Sequence, residues 1–422
     1  MYIHLKSSIG NMVFDTATVI WINVNLATMD NNIDRDYGAL HHQAIGICDD
    51  RIIAICAMGQ FVLPIGDVRI IDAKGRWLTP GLIDAHTHLV YAGNRAAEFE
   101  QRLQGVSYQQ IAERGGGILS TVKATRAASL AELVRVSQPR LTALLNEGVS
   151  CVEIKSGYGL NIDDELKMLR AAKILTANNP VRVSTTLLAA HSIPPEYQHN
   201  PDQYIDLICQ QLIPAAVEES LVDAVDVFCE QIAFSRAQCE RVFAAAQKHG
   251  LAIKGHMEQL SNQQGSQLAA SFNALSVDHL EWLDEAGVQA ISASGTVATL
   301  LPAAYYFLRE TKMPPIELLR QYQVPMAIAS DLNPGSAPLA SIRLAMQMAC
   351  TLFRLTPRES LAGVTCNAAK ALGLSEEIGQ LKVGMQADML LWDIESPAQL
   401  SYQFGMQELV QKVFAGSVSD VG

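Results

Sequence analysis

Trp77-Leu78-Thr79-Pro80-Gly81-Leu82-Ile83-Asp84-Ala85-His86-Thr87-His88 is an apolar run that ends in two histidines one residue apart. In an extended segment, residues i and i+2 point the same way. His86 and His88 can therefore meet one metal ion, at about 2.0–2.1 Å each for zinc. Alone, the pair marks only a possible metal site. Its meaning depends on what surrounds it.

Seven further apolar, β-branched runs follow this first one: Cys151 to Lys155, Val181 to Ala190, Ala224 to Cys229, Leu251 to Gly255, Ala274 to Asp278, Thr296 to Leu301 and Met326 to Ala329. Between them lie segments with helical period, such as Asp163 to Thr176 and Ser235 to Gly250. Near-continuous apolar strands imply burial on both faces, as in parallel sheets. Eight β/α repeats imply a (β/α)8 TIM-type barrel. An open doubly wound sheet is the second topology, but no G-x-G-x-x-G opens a helix here.

The two ends of the chain differ from this middle. Short β-like runs occupy Ala17 to Val24, Ala44 to Ile47, Arg51 to Ala57 and Val68 to Asp72, and again Ala387 to Trp392 and Lys412 to Ala415. They read as two parts of one small β-sandwich, split by the barrel. The expected division is 1–76 and 379–422 for the sandwich and 77–378 for the barrel.

Bulk composition narrows the class. Hydrophobic residues make up 49% of the 422, enough for a large core. The net charge of -12, with both signs interspersed, argues against a nucleic-acid surface, which needs clustered Lys and Arg. No apolar stretch reaches about 18 residues, so no membrane span is expected. Met1 to Lys6 lacks the apolar block of a signal peptide. The eight cysteines are scattered without C-x-x-C, as reduced buried thiols would be, which points to the cytoplasm.

In such a barrel the chemistry sits at the carboxyl ends of the strands. There the sequence places His86 and His88, Lys155-Ser156-Gly157-Tyr158, His191, His256, His279 and Asp331. Three histidines with one aspartate suit a divalent transition metal rather than Mg²⁺ or Ca²⁺. Zinc is the first expectation, with iron or manganese compatible. A remaining position would take water, whose pKa such an ion lowers from 15.7 to about 7. Asp331 could ligate and accept a proton, and His279 could shuttle it. Lys155 reads as structural or as a salt-bridge partner, Asp278 as structural, and Asp84 as a partner that orients a ligand.

Several segments carry a family resemblance. They are Leu78 to His88, Asn94-Arg95, Gly115-Gly116-Gly117-Ile118, Glu153-Ile154-Lys155-Ser156-Gly157-Tyr158-Gly159-Leu160, Ala190-His191, Gly255-His256-Met257-Glu258-Gln259, Val277-Asp278-His279-Leu280 and Ser330-Asp331-Leu332-Asn333-Pro334-Gly335-Ser336. The first resembles the opening of the amidohydrolase superfamily, and the set together resembles its imidazolonepropionase family. The resemblance implies a barrel with a split β-sandwich, one zinc or iron ion per subunit, a homodimer, and hydrolysis of the ring amide of 4-imidazolone-5-propanoate to N-formimidoyl-L-glutamate in histidine breakdown.

By the same resemblance His86, His88, His256 and Asp331 are the metal ligands. Arg95, Tyr158, His191, Gln259, Asn333, Gly335 and Ser336 would line the substrate pocket, with Arg95 fixing the propionate. His191 would hydrogen-bond the developing oxyanion or the ring. Some family members carry Glu where this chain has Gln259, so the proton-transfer role is assigned to His279 and Asp331. The alternative function is a superfamily deaminase acting on a guanine- or cytosine-like base.

Overall fold

The computed structural model describes residues 14–64, 66–106, 110 and 116–421. Gly115 and the first residues, Met1 to Lys6, lie outside them.

Two sheets organise the chain. The first combines both ends: β1 (Val19–Ala27), β2 (Ala39–Cys48), β3 (Arg51–Ala57), β4 (Arg69–Asp72) and β5 (Trp77–Pro80), then, from the far end of the chain, Met389–Trp392, Leu409–Phe414 and Ser417–Asp420. β5 joins the parts: it runs parallel to β1 and antiparallel to Met389–Trp392. Trp21, Leu26, Ile45, Leu78, Met389 and Leu391 form the buried face of this sheet.

The second sheet is all parallel: β6 (Leu82–Asp84), β7 (Val149–Lys155), β8 (Arg182–Ala190), β9 (Ala224–Cys229), β10 (Ala252–Met257), β11 (Ser276–His279), β12 (Val297–Leu300) and β13 (Met326–Ile328), paired in sequence order. This is the expected (β/α)8 barrel. The seam between its first and last strands is closed just beyond the strand ends. Asp331 N donates to His86 O (3.1 Å), and His88 N donates to Leu332 O (2.9 Å). Barrel closure itself thus brings the expected ligands together.

One run differs from its reading. Trp77 to Asp84 was expected to be a single barrel strand, but the structure splits it at Gly81. Residues 77–80 join the small sheet and residues 82–84 start the barrel. A Cβ at Gly81 would overlap the Ser150 side chain, so only glycine lets the chain pass this close as it crosses over. The expected helices are present: Ile162–Asn178 is capped by Asn161, and Arg236–Lys248 by a Ser235/Gln238 capping box.

Candidate active site

Strand alternation in β10 and the extended stretch after β6 aim three imidazoles at one point. His86 Nε2 lies 3.3 Å from His88 Nε2, and His256 Nε2 lies 3.4 Å from His88 Nε2. Asp331 Oδ1 is 3.3 Å from His86 Nε2 and 3.5 Å from His88 Nε2. Donors held about 2.0–2.1 Å from one ion stand about 3–3.4 Å apart, so these spacings are those of a common coordination shell. His279 joins the group: His86, His256 and His279 form a second buried triad whose donor atoms lie within 4.8 Å of one another.

The donor chemistry fits a divalent metal. Burial first, and neighbouring Lys155 or imidazoles second, hold His86, His88 and His256 well below the usual imidazole pKa. They are therefore neutral, the form that ligates. Asp331 uses Oδ1 toward the histidines, while its buried Oδ2 has no hydrogen-bond partner among the described residues. Behind the ligands stand three more fully buried carboxylates, Glu153, Asp226 and Asp278, and two buried ammoniums, Lys155 and Lys254. With Asp331 these place more carboxylates than ammoniums around the cluster, an excess that a divalent cation would offset.

Two outer carboxylates fix the imidazoles. Asp278 Oδ2 sits 2.6 Å from His86 Nδ1, and Asp226 Oδ1 sits 3.1 Å from His256 Nδ1. Carboxylates accept here, so each Nδ1 carries the proton and each Nε2 is left to ligate. Asp278, read as structural, is thus a ligand-orienting residue. Asp84, read as orienting a ligand, accepts from Ser330 N (3.0 Å) and Ser330 Oγ (2.5 Å), and also from the His86 backbone. It anchors the turn before Asp331, and burial raises its carboxyl to about 7. Asp226 was not singled out in the sequence, although a charge inside the apolar run Ala224–Cys229 was the available signal.

Asp278 and His279 are adjacent, and regular alternation would turn them to opposite faces. His279 has φ 83 and Leu280 φ 76. These are unusual values for side-chain-bearing residues, of the kind that concentrates at functional sites. The local reversal lets both neighbours address the same centre. His279 Nδ1 has no partner among the described residues, and burial lowers its pKa to about 4.

A cavity of about 210 Å³ opens above the donors, and Arg95, Tyr158, His191, Gln259, Asn333, Gly335 and Ser336 all line it. Arg95 Nε donates to Glu98 Oε2 at 2.8 Å, which holds the guanidinium in place. A Cβ on Gly335 would overlap Arg95 Nη1, so glycine is what lets the guanidinium lie across this turn. His191 Nδ1 is 3.0 Å from Gly157 O, a group that only accepts. That fixes the proton on Nδ1 and leaves Nε2 of the neutral ring as an acceptor. A neutral His191 therefore receives a ring N–H, and donates to an oxyanion only when protonated.

Asn333 lines the pocket and also shapes its wall. Its Nδ2 donates to Asp331 O and Ser336 Oγ, and its Oδ1 accepts from Gly335 N and Ser336 N. Its polar atoms are taken up in shaping the Asp331–Ser336 turn. Glu258, beside Gln259, accepts from Gly265 N, Ser266 N and the Ser266 hydroxyl at the start of helix Gly265–Ser271. Gln259 remains in the pocket. Arg102, Ile118, Phe228 and Leu308 also line it and were not anticipated.

The Amidohydrolase family matches residues 77–419. Imidazolonepropionase of Hahella chejuensis is 60% identical over 401 residues, covering 95% of this chain and 99% of that one. The enzyme of the same name from Shewanella frigidimarina is 59% identical over 390 residues, 92% of this chain and 95% of that one. Among solved structures, a triazine hydrolase variant superposes with a TM-score of 0.74 at 16% identity, over 95% of this chain and 94% of that one. An adenosine deaminase from Xanthomonas campestris with bound zinc gives 0.68 at 17%, over 96% and 93%. At such identities the structures show the fold alone. The chain belongs to the amidohydrolase family and, within it, to the imidazolonepropionases.

Proposed function

We propose that this protein hydrolyses the ring amide C–N bond of 4-imidazolone-5-propanoate to give N-formimidoyl-L-glutamate, in histidine breakdown. The observation that carries the proposal is the placement of Arg95 in the same small cavity as the buried histidine–aspartate cluster. The cavity suits a single small ring bearing one carboxylate. Relatives at 56–60% identity bear the name of this activity.

A divalent ion held by His86, His88, His256 and Asp331, zinc or iron, would polarise the ring carbonyl and acidify a water molecule. Arg95 holds the propionate, with Tyr158 and Ser336 beside it. His191 Nε2 accepts from the ring and fixes its orientation. Asp331 would hold the ion through Oδ1, and its Oδ2, without a hydrogen-bond partner among the described residues, takes the proton of the attacking water. Water oxygen bonds to the carbonyl carbon, the C–N bond breaks, and His279 passes the proton on to the leaving ring nitrogen. The product then carries a new carboxylate and a formimidoyl group. The base substrate of a deaminase would bring no carboxylate to Arg95.

We also propose a homodimeric, cytoplasmic protein, from the family resemblance and from eight cysteines that are all unpaired. No helix among the described residues is long and apolar enough to cross a membrane. We propose a small β unit from both ends of the chain and a barrel between them, with the first boundary moved from 76/77 to 80/81 because β5 pairs within the smaller sheet. Turnover of the imidazolone by purified, metal-replete protein tests the proposed function.

A further inference from the structure

The reaction above uses neither of the two lysines buried beneath the ligands. Lys155 Nζ lies 2.7 Å from Asp226 Oδ2, 2.9 Å from Glu153 Oε2 and 3.7 Å from Asp278 Oδ2, and all four side chains are fully buried. Lys254 Nζ pairs with the other oxygen of Glu153 at 3.1 Å, and otherwise meets the backbone oxygens of Ala85 and Ala371. Among the described residues Lys155 is thus the one ammonium within 4 Å of both carboxylates oriented toward the metal ligands. Its backbone takes part as well, since Lys155 N donates to Thr87 O (2.9 Å), the residue between His86 and His88.

We infer that Lys155 is a positioning residue for the metal centre: one ammonium pins Asp226 and Asp278 together, and through them fixes the directions of His256 and His86. The links are short and continuous. Lys155 holds Asp226 Oδ2, leaving Oδ1 for His256 Nδ1 at 3.1 Å and His256 N at 3.2 Å. On the other side it faces Asp278 Oδ2, the atom that receives His86 Nδ1. Asp278 Oδ1 is held by Ser276 Oγ at 2.7 Å. Among the described residues Lys155 is the only lysine or arginine in an ion pair with Asp226.

Without this ammonium, two carboxylates would be left buried and mutually repelling in a medium where such repulsion is barely screened. They would separate and turn, and two of the three imidazoles would lose their aim. His88 serves as the internal contrast, because its Nδ1 has no outer partner among the described residues.

The inference rests on the metal reading of the site, and its test separates the two. Apoprotein is titrated with Zn²⁺ in competition with a chromogenic chelator, and the rate of metal loss from loaded protein is followed. Lys155→Met keeps the stem and removes the charge. Metal affinity is expected to fall about 10–100-fold, the usual effect of losing an outer-shell partner. Combined with Asp226→Asn, the loss should be smaller than the product of the two single losses, because both variants break one chain of contacts. If Lys155→Met fails to fold, Lys155→Gln takes its place. Wild-type protein that binds no Zn²⁺ would sink the metal reading. Wild-type protein that binds it, with the Lys155 variant binding equally tightly or with single losses that multiply, would overturn the inference alone.

Discussion

His86 Nδ1 and Asp278 Oδ2 lie 2.6 Å apart with both side chains fully buried, so the first imidazole of the H-x-H pair is aimed by a residue 192 positions further along the chain. Replacing Asp278 by Asn removes the charged acceptor and lets an amide N–H face the imidazole. Metal affinity should fall about 10–100-fold. Metal content after dialysis against a weak chelator measures it, and full retention by the variant would contradict the role given to Asp278.

Arg95 is assigned to the substrate carboxylate. A charged hydrogen-bonded pair contributes about 1.5–3 kcal/mol, so Arg95→Met should lower kcat/KM by about 10–100-fold, mainly through KM. Gly335→Ala should do the same more mildly, because its methyl group would displace the guanidinium. The thermal midpoint should barely change in either variant. An unchanged KM in Arg95→Met would speak against a carboxylate at that end of the pocket.

The sequence made some of this legible and hid the rest for physical reasons. The His86/His88 pair, His256 and Asp331 could be read because strand-end positions share one face of a barrel. The break at Gly81 could not, since an apolar strand of a mixed sheet and an apolar strand of a barrel look alike. Asp278 was misread because φ 83 at His279 cancels the alternation on which the reading depended. Glu153, Asp226 and Lys254 lie inside apolar strands, where a charge survives only with a partner, and no local pattern names that partner. The pocket role of Arg102 depends on where helix Ala96–Leu103 docks, beyond the reach of local pattern.

His279 is the proposed carrier of the proton to the leaving nitrogen. His279→Asn keeps a polar side chain of smaller size but cannot carry a proton. We expect kcat to fall by about 100-fold or more, within the usual range for a lost acid–base group, with KM changed only a fewfold. Steady-state kinetics at saturating metal decide it, and wild-type kcat in the variant would move the proton transfer elsewhere.

Glu281 gives a pH-dependent prediction. It is 2% exposed, its Oε2 has no hydrogen-bond partner among the described residues, and burial pushes its carboxyl up to about 8. A folded pKa above the unfolded value of 4.5 means that the stability tied to this proton is complete below about pH 4.5. It is lost progressively as the pH rises to about 8. Glu281→Gln stays neutral throughout. It should therefore match the wild type near pH 4.5 and exceed it increasingly toward pH 8, by on the order of a few kcal/mol. Thermal midpoints of both proteins across this range measure the difference. A constant difference would show that Glu281 ionises freely in the folded protein.

The most direct measurement is the loss of ultraviolet absorption from freshly prepared 4-imidazolone-5-propanoate, with and without metal-replete protein. The expected result is consumption far faster than the protein-free decay, with N-formimidoyl-L-glutamate as the product. A rate equal to the protein-free decay, in protein shown to carry its metal, would contradict the proposed function.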